Sequence, residues 1–292
     1  MSDVTALIAR ADKKMTSSGG MFSFMSGGSS TRFEEAADLY TEAANQYKLQ
    51  RNGKLAGECF EKAADAQLQS ESKDEAANSL LEAYKSYRSN SPQEAAKCLE
   101  KAIQFFTTRG QFRRGANYKM ELGELYEKEL EDIPKAMEAY TDAGDWFSED
   151  RAETLSSKAY LKVAELSAEN DDLFKAIEMF EMVARRNLNS NIMKWSLKEY
   201  LFKAGLCRIA ADPVACGGPI NAYLEWDPAF GQSREYGLLV DICEAVSNQN
   251  PQLFADKVYD FDQFSKLDKW KTNLLLKIKN AITEQEDDEG LL

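Results

Sequence analysis

The sequence of 292 residues contains no histidine. Histidine is the commonest general base in enzymes, the usual partner of a nucleophilic Ser or Cys, and the commonest transition-metal ligand. Its absence excludes a Ser-His-Asp or Cys-His arrangement and leaves lysine, tyrosine or carboxylate chemistry. A phosphate-binding loop is also missing, because Gly53 and Lys54 lack the upstream glycine of that motif. We therefore predict a protein that is not an enzyme and that binds no metal or cofactor.

Cysteine is scarce as well, and the five cysteines are odd in number, far apart and without a C-x-x-C pair. This pattern favours small buried apolar residues in a reducing compartment over metal or redox sites. A signal peptide is not recognisable, since Asp3 stands near the N-terminus and no long apolar run follows. No window approaches the roughly 20 apolar residues of a membrane span. These features predict a cytoplasmic protein. The cysteines are Cys59, Cys98, Cys207, Cys216 and Cys243.

The 16 glycines and 6 prolines are few for this length, whereas Ala, Glu, Lys and Leu are abundant. Such a composition favours helices. The net charge is −13, which argues against non-specific binding to nucleic acid, because phosphate contacts need clustered Lys and Arg. An anionic partner must therefore meet a local basic patch.

A small residue recurs every twenty positions, and in most repeats a large residue follows it by four and another small or β-branched residue by seven. Offsets of four and then three mark one face of an α-helix. Twenty residues suit a helix of about fourteen residues plus a turn. From Phe33 to about Asn187 we predict an all-α, tetratricopeptide-like, right-handed stack of antiparallel helical hairpins. The small residues are Ala36, Ala56, Ala76, Ala96, Ala116, Ala136, Ser156 and Ala176.

Beyond Asn187 the repeat fades, and helix-breaking Gly and Pro residues separate the remaining helical stretches. Their wider apolar faces predict a helical bundle that caps the stack. The predicted domains are 1–190, a hairpin solenoid with an apolar N-terminal loop at 17–31, and 191–292, a C-terminal helical bundle with an acidic, leucine-ended tail. Capping-box pairs predict helix starts at Thr31, Ser72 and Ser91. The predicted C-terminal helices are 194–211, 219–226, 233–248, 252–267 and 268–285.

Charge alternates between successive helices of the predicted stack. The alternate helices 75–88, 113–126, 153–168 and 194–206 carry a summed charge of +3, whereas 54–66, 94–107, 131–148 and 171–182 carry −8. Since hairpin arrays place alternate helices on opposite faces, one face is neutral to basic and would attract an elongated acidic partner. A solvated surface with chance asymmetry is the alternative. The candidate binding residues are Arg113, Arg114, Lys119, Lys158, Lys162, Lys198 and Lys203.

Lys158 and Lys162 have the clearest geometry among these candidates. They are four residues apart, so they share one stripe of a helix, opposite Ser156, Tyr160 and Val163. We therefore expect both lysines to point outward.

An uncharged segment runs from Met15 to Thr31 and holds four large apolar residues between Ser/Gly-rich flanks. These residues either pack against the first hairpin or form an exposed patch that makes weak, reversible contact with a membrane. They are Met21, Phe22, Phe24 and Met25.

The C-terminus is acidic and ends in two leucines, a run that we predict does not continue a packed helix. It is either a frayed terminus or a ligand whose acids meet a basic surface and whose leucines enter a small pocket. The residues concerned are Glu286, Asp287, Asp288, Glu289, Leu291 and Leu292.

Segments 33–37, 110–116, 195–200 and 267–271, with the acidic tail, resemble the alpha-SNAP family of soluble NSF attachment proteins, including its fungal counterparts. The resemblance extends over essentially the whole chain. It implies an adaptor that binds the four-helix SNARE bundle and recruits and stimulates NSF, a hexameric ATPase that pulls the bundle apart. Several copies would surround one bundle, with the C-terminal domain facing NSF and some contact with the membrane surface.

The resemblance also implies residue roles. Lys158 and Lys162 match basic contacts to the SNARE bundle, the loop residues 21–25 match a membrane-inserting segment, and Leu291 matches a penultimate leucine that stimulates NSF.

The sequence departs from the family at three places. Asn117 stands where animal members have a basic residue, Gly290 is inserted before the leucines, and Gly217, Gly218 and Pro219 interrupt a region that other members keep helical. A generic tetratricopeptide scaffold that clamps a short peptide of a chaperone or another partner is the alternative function. It would not explain the apolar loop or the tail.

Overall fold

The computed structural model describes residues 4–16, 28–190 and 194–289, and within them the regular structure is entirely helical. Fourteen α-helices and one 3₁₀ helix, Pro228–Gln232, follow one another in these segments. The α-helices are α1 Val4–Thr16, α2 Gly28–Leu49, α3 Gly53–Gln69, α4 Lys73–Tyr87, α5 Pro92–Thr108, α6 Phe112–Lys128, α7 Ile133–Glu149, α8 Glu153–Glu169, α9 Leu173–Asn187, α10 Lys194–Ala211, α11 Gly217–Trp226, α12 Arg234–Ser247, α13 Pro251–Phe264 and α14 Lys269–Glu289.

The chain packs into two compact units, Met1–Ala152 and Glu153–Leu292. The first unit contains α1–α7, and the second contains α8–α14. The helices α8 and α9 share one apolar core with α10–α14. The domain boundary at residue 190 follows the end of the sequence repeat and stays a prediction.

The small residues of the twenty-residue repeat are buried, as the periodicity predicts. All eight are at most 3% exposed. Most of the large residues four positions later, such as Tyr140 and Phe180, are buried too, although Met120 is only half-buried. One close approach lies at Gly123, where an added Cβ would be 2.6 Å from the Tyr140 ring. Small side chains therefore let one helix lie directly against the next.

Polar contacts join helices that are two apart in the chain, which places alternate helices side by side within each unit. The pairs are Lys48–Glu82 between α2 and α4 at 2.9 Å, Arg114–Asn78 between α6 and α4 at 3.1 Å, Lys101–Glu61 between α5 and α3 at 3.9 Å, and Lys203–Glu165 between α10 and α8 at 2.6 Å. The predicted stack of antiparallel hairpins is confirmed.

Within the twenty-residue repeat, five turns contain a non-glycine residue with left-handed backbone. In the turn after α2, for example, the Asn52 amide donates to the Tyr47 carbonyl at 2.9 Å, which closes the helix end. The left-handed residues recur at multiples of twenty positions, with φ between 52° and 65°. They are Arg51, Glu71, Glu131, Arg151 and Asp171.

The predicted helix starts are partly confirmed. Ser72 and Ser91 occupy the N-cap positions of α4 and α5, although neither side chain makes the cap hydrogen bond. Thr31 was wrong as a start, because α2 begins at Gly28 and the Ser30 hydroxyl donates to Glu34 one turn later, at 3.0 Å.

The sequence repeat gave no sign of α1, which precedes it. This helix buries Val4, Leu7 and Ala11, which are three and four positions apart. On its polar side, Asp12 accepts a hydrogen bond of 2.5 Å from the Tyr40 hydroxyl of α2.

Two expectations for the C-terminal unit were wrong. Gly217 and Pro219 do not interrupt a helix but form the first turn of α11, a position that tolerates proline because the first amides of a helix need no partner. The last helix was predicted to end at residue 285, yet α14 continues through the acidic run to Glu289. Glutamate is a good helix former, so the run can extend the backbone helix.

Candidate protein-interaction surfaces

The first unit places three of the predicted basic residues on α6. Arg113 is exposed and pairs with Asp150 at 3.1 Å. Arg114 lies with its guanidinium 4.0 Å from the centre of the Phe106 ring. Both arginines line a shallow cleft of about 560 Å³ that also includes Phe112. The cleft combines cationic, acidic and aromatic groups and is open to a protein partner.

Lys119 differs from these two arginines. Its side chain is only 19% exposed and its ammonium lies 2.6 Å from Asp142. The ammonium also stands 5.7 Å from the centre of the Trp146 ring. Lys119 therefore joins α6 to α7 rather than projecting from the surface.

In the second unit, α8 presents Lys158 and Lys162 on its outer stripe, as predicted. Lys158 is exposed and has no ion-pair partner among the described residues, and Lys162 is half-buried one turn further on. On the other side of the helix, Ser156 and Val163 are each 1% exposed. The stripe is thus directed away from the core.

The two lysines of α10 have different environments. Lys198 is 50% exposed and pairs at 2.8 Å with the largely buried Glu235. Lys203 is 12% exposed, lies 2.6 Å from Glu165 and stands 5.1 Å from the centre of the Trp270 ring. Lys198 is accessible to a partner, whereas Lys203 holds α8, α10 and α14 together.

Comparison with known proteins identifies the family of this chain. The family model of the soluble NSF attachment protein, SNAP, matches residues 2–283. The chain belongs to this family. A vesicular-fusion protein SEC17 of Komagataella phaffii is 48% identical over 290 residues, covering 98% of each chain. The alpha-soluble NSF attachment protein of Saccharomyces cerevisiae is 42% identical over 99% of each chain. The human alpha-soluble NSF attachment protein is 37% identical, over 98% of this chain and 97% of the relative.

Most of the candidate residues near the two ends of the chain lie outside the described residues. The four candidates for membrane contact, Met21, Phe22, Phe24 and Met25, fall there, as do Leu291 and Leu292. The acids 286–289 belong to the backbone of α14. Of the helices described, none is both long and apolar enough to cross a membrane.

Two neighbouring cysteines of the second unit could not be recognised from the sequence. Cys216 stands just before α11 and Cys243 lies on α12, and their sulfur atoms are 2.8 Å apart. Both are free thiols. Their separation along the chain left no local signal, so only the packing of the second unit brings them together.

Proposed function

We propose that this chain is a non-catalytic adaptor that binds assembled SNARE complexes and recruits and stimulates the ATPase NSF for their disassembly in vesicle fusion. The observation that carries the proposal is the match of the family model to residues 2–283, together with relatives named as vesicular-fusion proteins over nearly their full length. The protein would work in the cytoplasm, attached peripherally to membranes. Several copies would act on one SNARE complex.

The SNARE-binding surface would use the outward-pointing cations of α6, α8 and α10. Lys158 and Lys162 on α8, Lys198 on α10, and Arg113 and Arg114 on α6 supply these charges. Each exposed ion pair contributes little, about 0–1 kcal/mol, so affinity for an elongated acidic partner would come from several contacts and from long-range attraction.

Lys119 and Lys203 would take part in this surface indirectly. Their ammonium groups are already neutralised by Asp142 and Glu165, and both side chains are largely buried. We assign them the role of fixing the helices that carry the exposed cations.

The test is a pull-down with a folded SNARE bundle and the Lys158→Glu/Lys162→Glu double variant. Binding should fall strongly at low salt, and the difference from the unmodified chain should shrink as salt rises. A matched control is Lys97→Glu/Lys101→Glu, which changes the same charge at the same spacing on α5. This helix has no net charge of its own and belongs to the alternate set of helices that sums to −8. Both lysines are exposed. Equal losses in the two variants would show a general charge effect and overturn the assignment to α8.

The same assay separates the adaptor from a generic tetratricopeptide scaffold. An adaptor for SNARE complexes should retain the folded bundle and release single SNARE peptides. Preference for a single peptide would favour the scaffold.

The tail would deliver the contact with NSF. The acids Glu286, Asp287, Asp288 and Glu289 would steer the C-terminus toward a basic surface of the ATPase. Leu291 and Leu292 would then bury apolar area in a pocket of NSF.

The apolar N-terminal segment would make weak contact with the membrane surface. Its four large apolar residues suffice for reversible contact only when a second interaction holds the protein nearby. They are Met21, Phe22, Phe24 and Met25. SNARE binding would be that second interaction. The membrane contact would then raise the effective concentration of the protein at the membrane.

A further inference from the structure

The loop that enters α11 brings a thiol against a second thiol on α12. The sulfur atoms of Cys216 and Cys243 are 2.8 Å apart, and the residues are 27 positions apart in the chain. A disulfide bond is about 2.05 Å long, so a movement of less than about 1 Å would bring the sulfurs to bonding distance. We propose that Cys216 and Cys243 form a redox-active dithiol that a peroxide oxidises to an intramolecular disulfide.

The loop holds Cys216 in place by several contacts. The Asp212 carboxylate accepts hydrogen bonds from the backbone amides of Val214 and Ala215 at 3.2 and 3.0 Å. The Cys216 thiol lies 3.2 Å from the Pro213 carbonyl, to which it donates. Because the loop is anchored, the short distance between the two sulfurs is a fixed feature of the fold.

The surroundings divide the two thiols into a nucleophile and a resolving group. The hydrogen bond between the two thiols lowers the pKa of Cys216, whereas that hydrogen bond and burial raise the pKa of Cys243. Thiolate is the reactive form, so Cys216 reacts first. Cys243 is partly exposed, which leaves the pair within reach of a small oxidant.

The oxidation proceeds in two balanced steps. The Cys216 thiolate attacks one peroxide oxygen, so that an S–O bond forms, the O–O bond breaks and the departing hydroxide takes up a proton to become water. Cys243 then attacks the Cys216 sulfur, so that the S–S bond forms, the S–O bond breaks and a second water leaves with the Cys243 proton. Two thiols lose two electrons, and one hydrogen peroxide is reduced to two waters.

The other three cysteines have no such arrangement. Burial raises the pKa of Cys59 to about 11 and that of Cys207 to about 12. Burial also raises the pKa of Cys98. These thiols should resist the oxidant, so they act as internal controls.

The experiment treats the full chain with hydrogen peroxide under native conditions, unfolds it without reductant and labels the remaining thiols with N-ethylmaleimide. Labels should fall from five to three, and a non-reducing digest should contain one cross-linked peptide that joins Cys216 to Cys243. Dithiothreitol should restore five labels. Five labels after a dose that fully oxidises free glutathione would overturn the proposal. Loss of label at Cys59, Cys98 or Cys207 in place of this pair would overturn it too.

A pair of variants tests the assigned order. In Cys243→Ser the cross-link should vanish and Cys216 should become reactive to dimedone, which traps a sulfenic acid. In Cys207→Ser, the matched control, the cross-link should form as in the unmodified chain. The assignment would be contradicted if Cys243 formed a dimedone adduct in the Cys216→Ser variant while Cys216 formed none in Cys243→Ser. The order of attack would then be the reverse. If a variant fails to fold, the peptide map of the unmodified chain still decides whether the disulfide forms.

Discussion

Lys203→Met should destabilise the second unit while leaving its surface charge pattern nearly intact. Methionine keeps the apolar part of the side chain but removes the ammonium that lies 2.6 Å from Glu165 and 5.1 Å from the centre of the Trp270 ring. A hydrogen bond to a charged group contributes about 1.5–3 kcal/mol, and a partly exposed cation–π contact about 0.5–1 kcal/mol. Glu165 is 30% exposed, so water will replace part of the lost contact. We therefore expect a loss of about 1–3 kcal/mol in the free energy of unfolding.

The assay is thermal unfolding followed by circular dichroism, with Lys158→Met as the matched control. Lys158 is exposed and has no ion-pair partner among the described residues, so its loss should change the stability by less than about 0.5 kcal/mol. Tm should fall by several degrees for Lys203→Met alone. SNARE binding, measured well below Tm, should weaken for Lys158→Met and persist for Lys203→Met. The opposite pattern would refute the assignment of Lys203 to the interior and Lys158 to the contact surface.

Three further predictions concern other parts of the chain. Gly123→Ala should cost about 1–3 kcal/mol of stability, measured by urea unfolding, because its Cβ would meet the buried Tyr140 ring at 2.6 Å. Changing Phe22 and Phe24 to serine should slow disassembly of SNARE complexes on liposomes but not in solution; equal losses would mean that this segment packs on protein. Changing Leu291 and Leu292 to alanine should leave SNARE binding normal and reduce NSF ATPase stimulation, and unchanged stimulation would place the NSF contact elsewhere.

The hairpin stack could be predicted because one physical requirement repeats along the chain. Helices that pack closely need a small residue at each contact, so Ala36 and its counterparts every twenty positions mark both the helix faces and the turns. The outward direction of Lys158 and Lys162 follows from the same helical periodicity, since buried residues occupy the opposite side of the helix. Both inferences depend only on contacts within one helix or between neighbouring helices.

Contacts between distant segments could not be predicted in this way. A helical wheel shows which side of α10 is polar, but it does not reveal that Glu165, 38 residues earlier, lies beside Lys203. The approach of Cys216 to Cys243 likewise depends on how the loop before α11 folds over α12. The helix α1 was missed because a single helix before the repeat has no periodic partner to reveal it.

The left-handed turn residues mean that the scaffold has not reached its maximal stability. A residue with a Cβ loses roughly 1–2 kcal/mol in this conformation, whereas glycine adopts it freely but gains freedom in the unfolded chain. Glu71→Gly should therefore raise Tm slightly, and a decrease would show that the glutamate side chain makes an important contact. Replacing Arg51, Glu131 and Arg151 as well would give a heat-tolerant background, whereas Asp171 should be kept because its carboxylate pairs with Lys277. In such a background, destabilising surface variants would stay folded, and their binding defects could be measured without interference from unfolding.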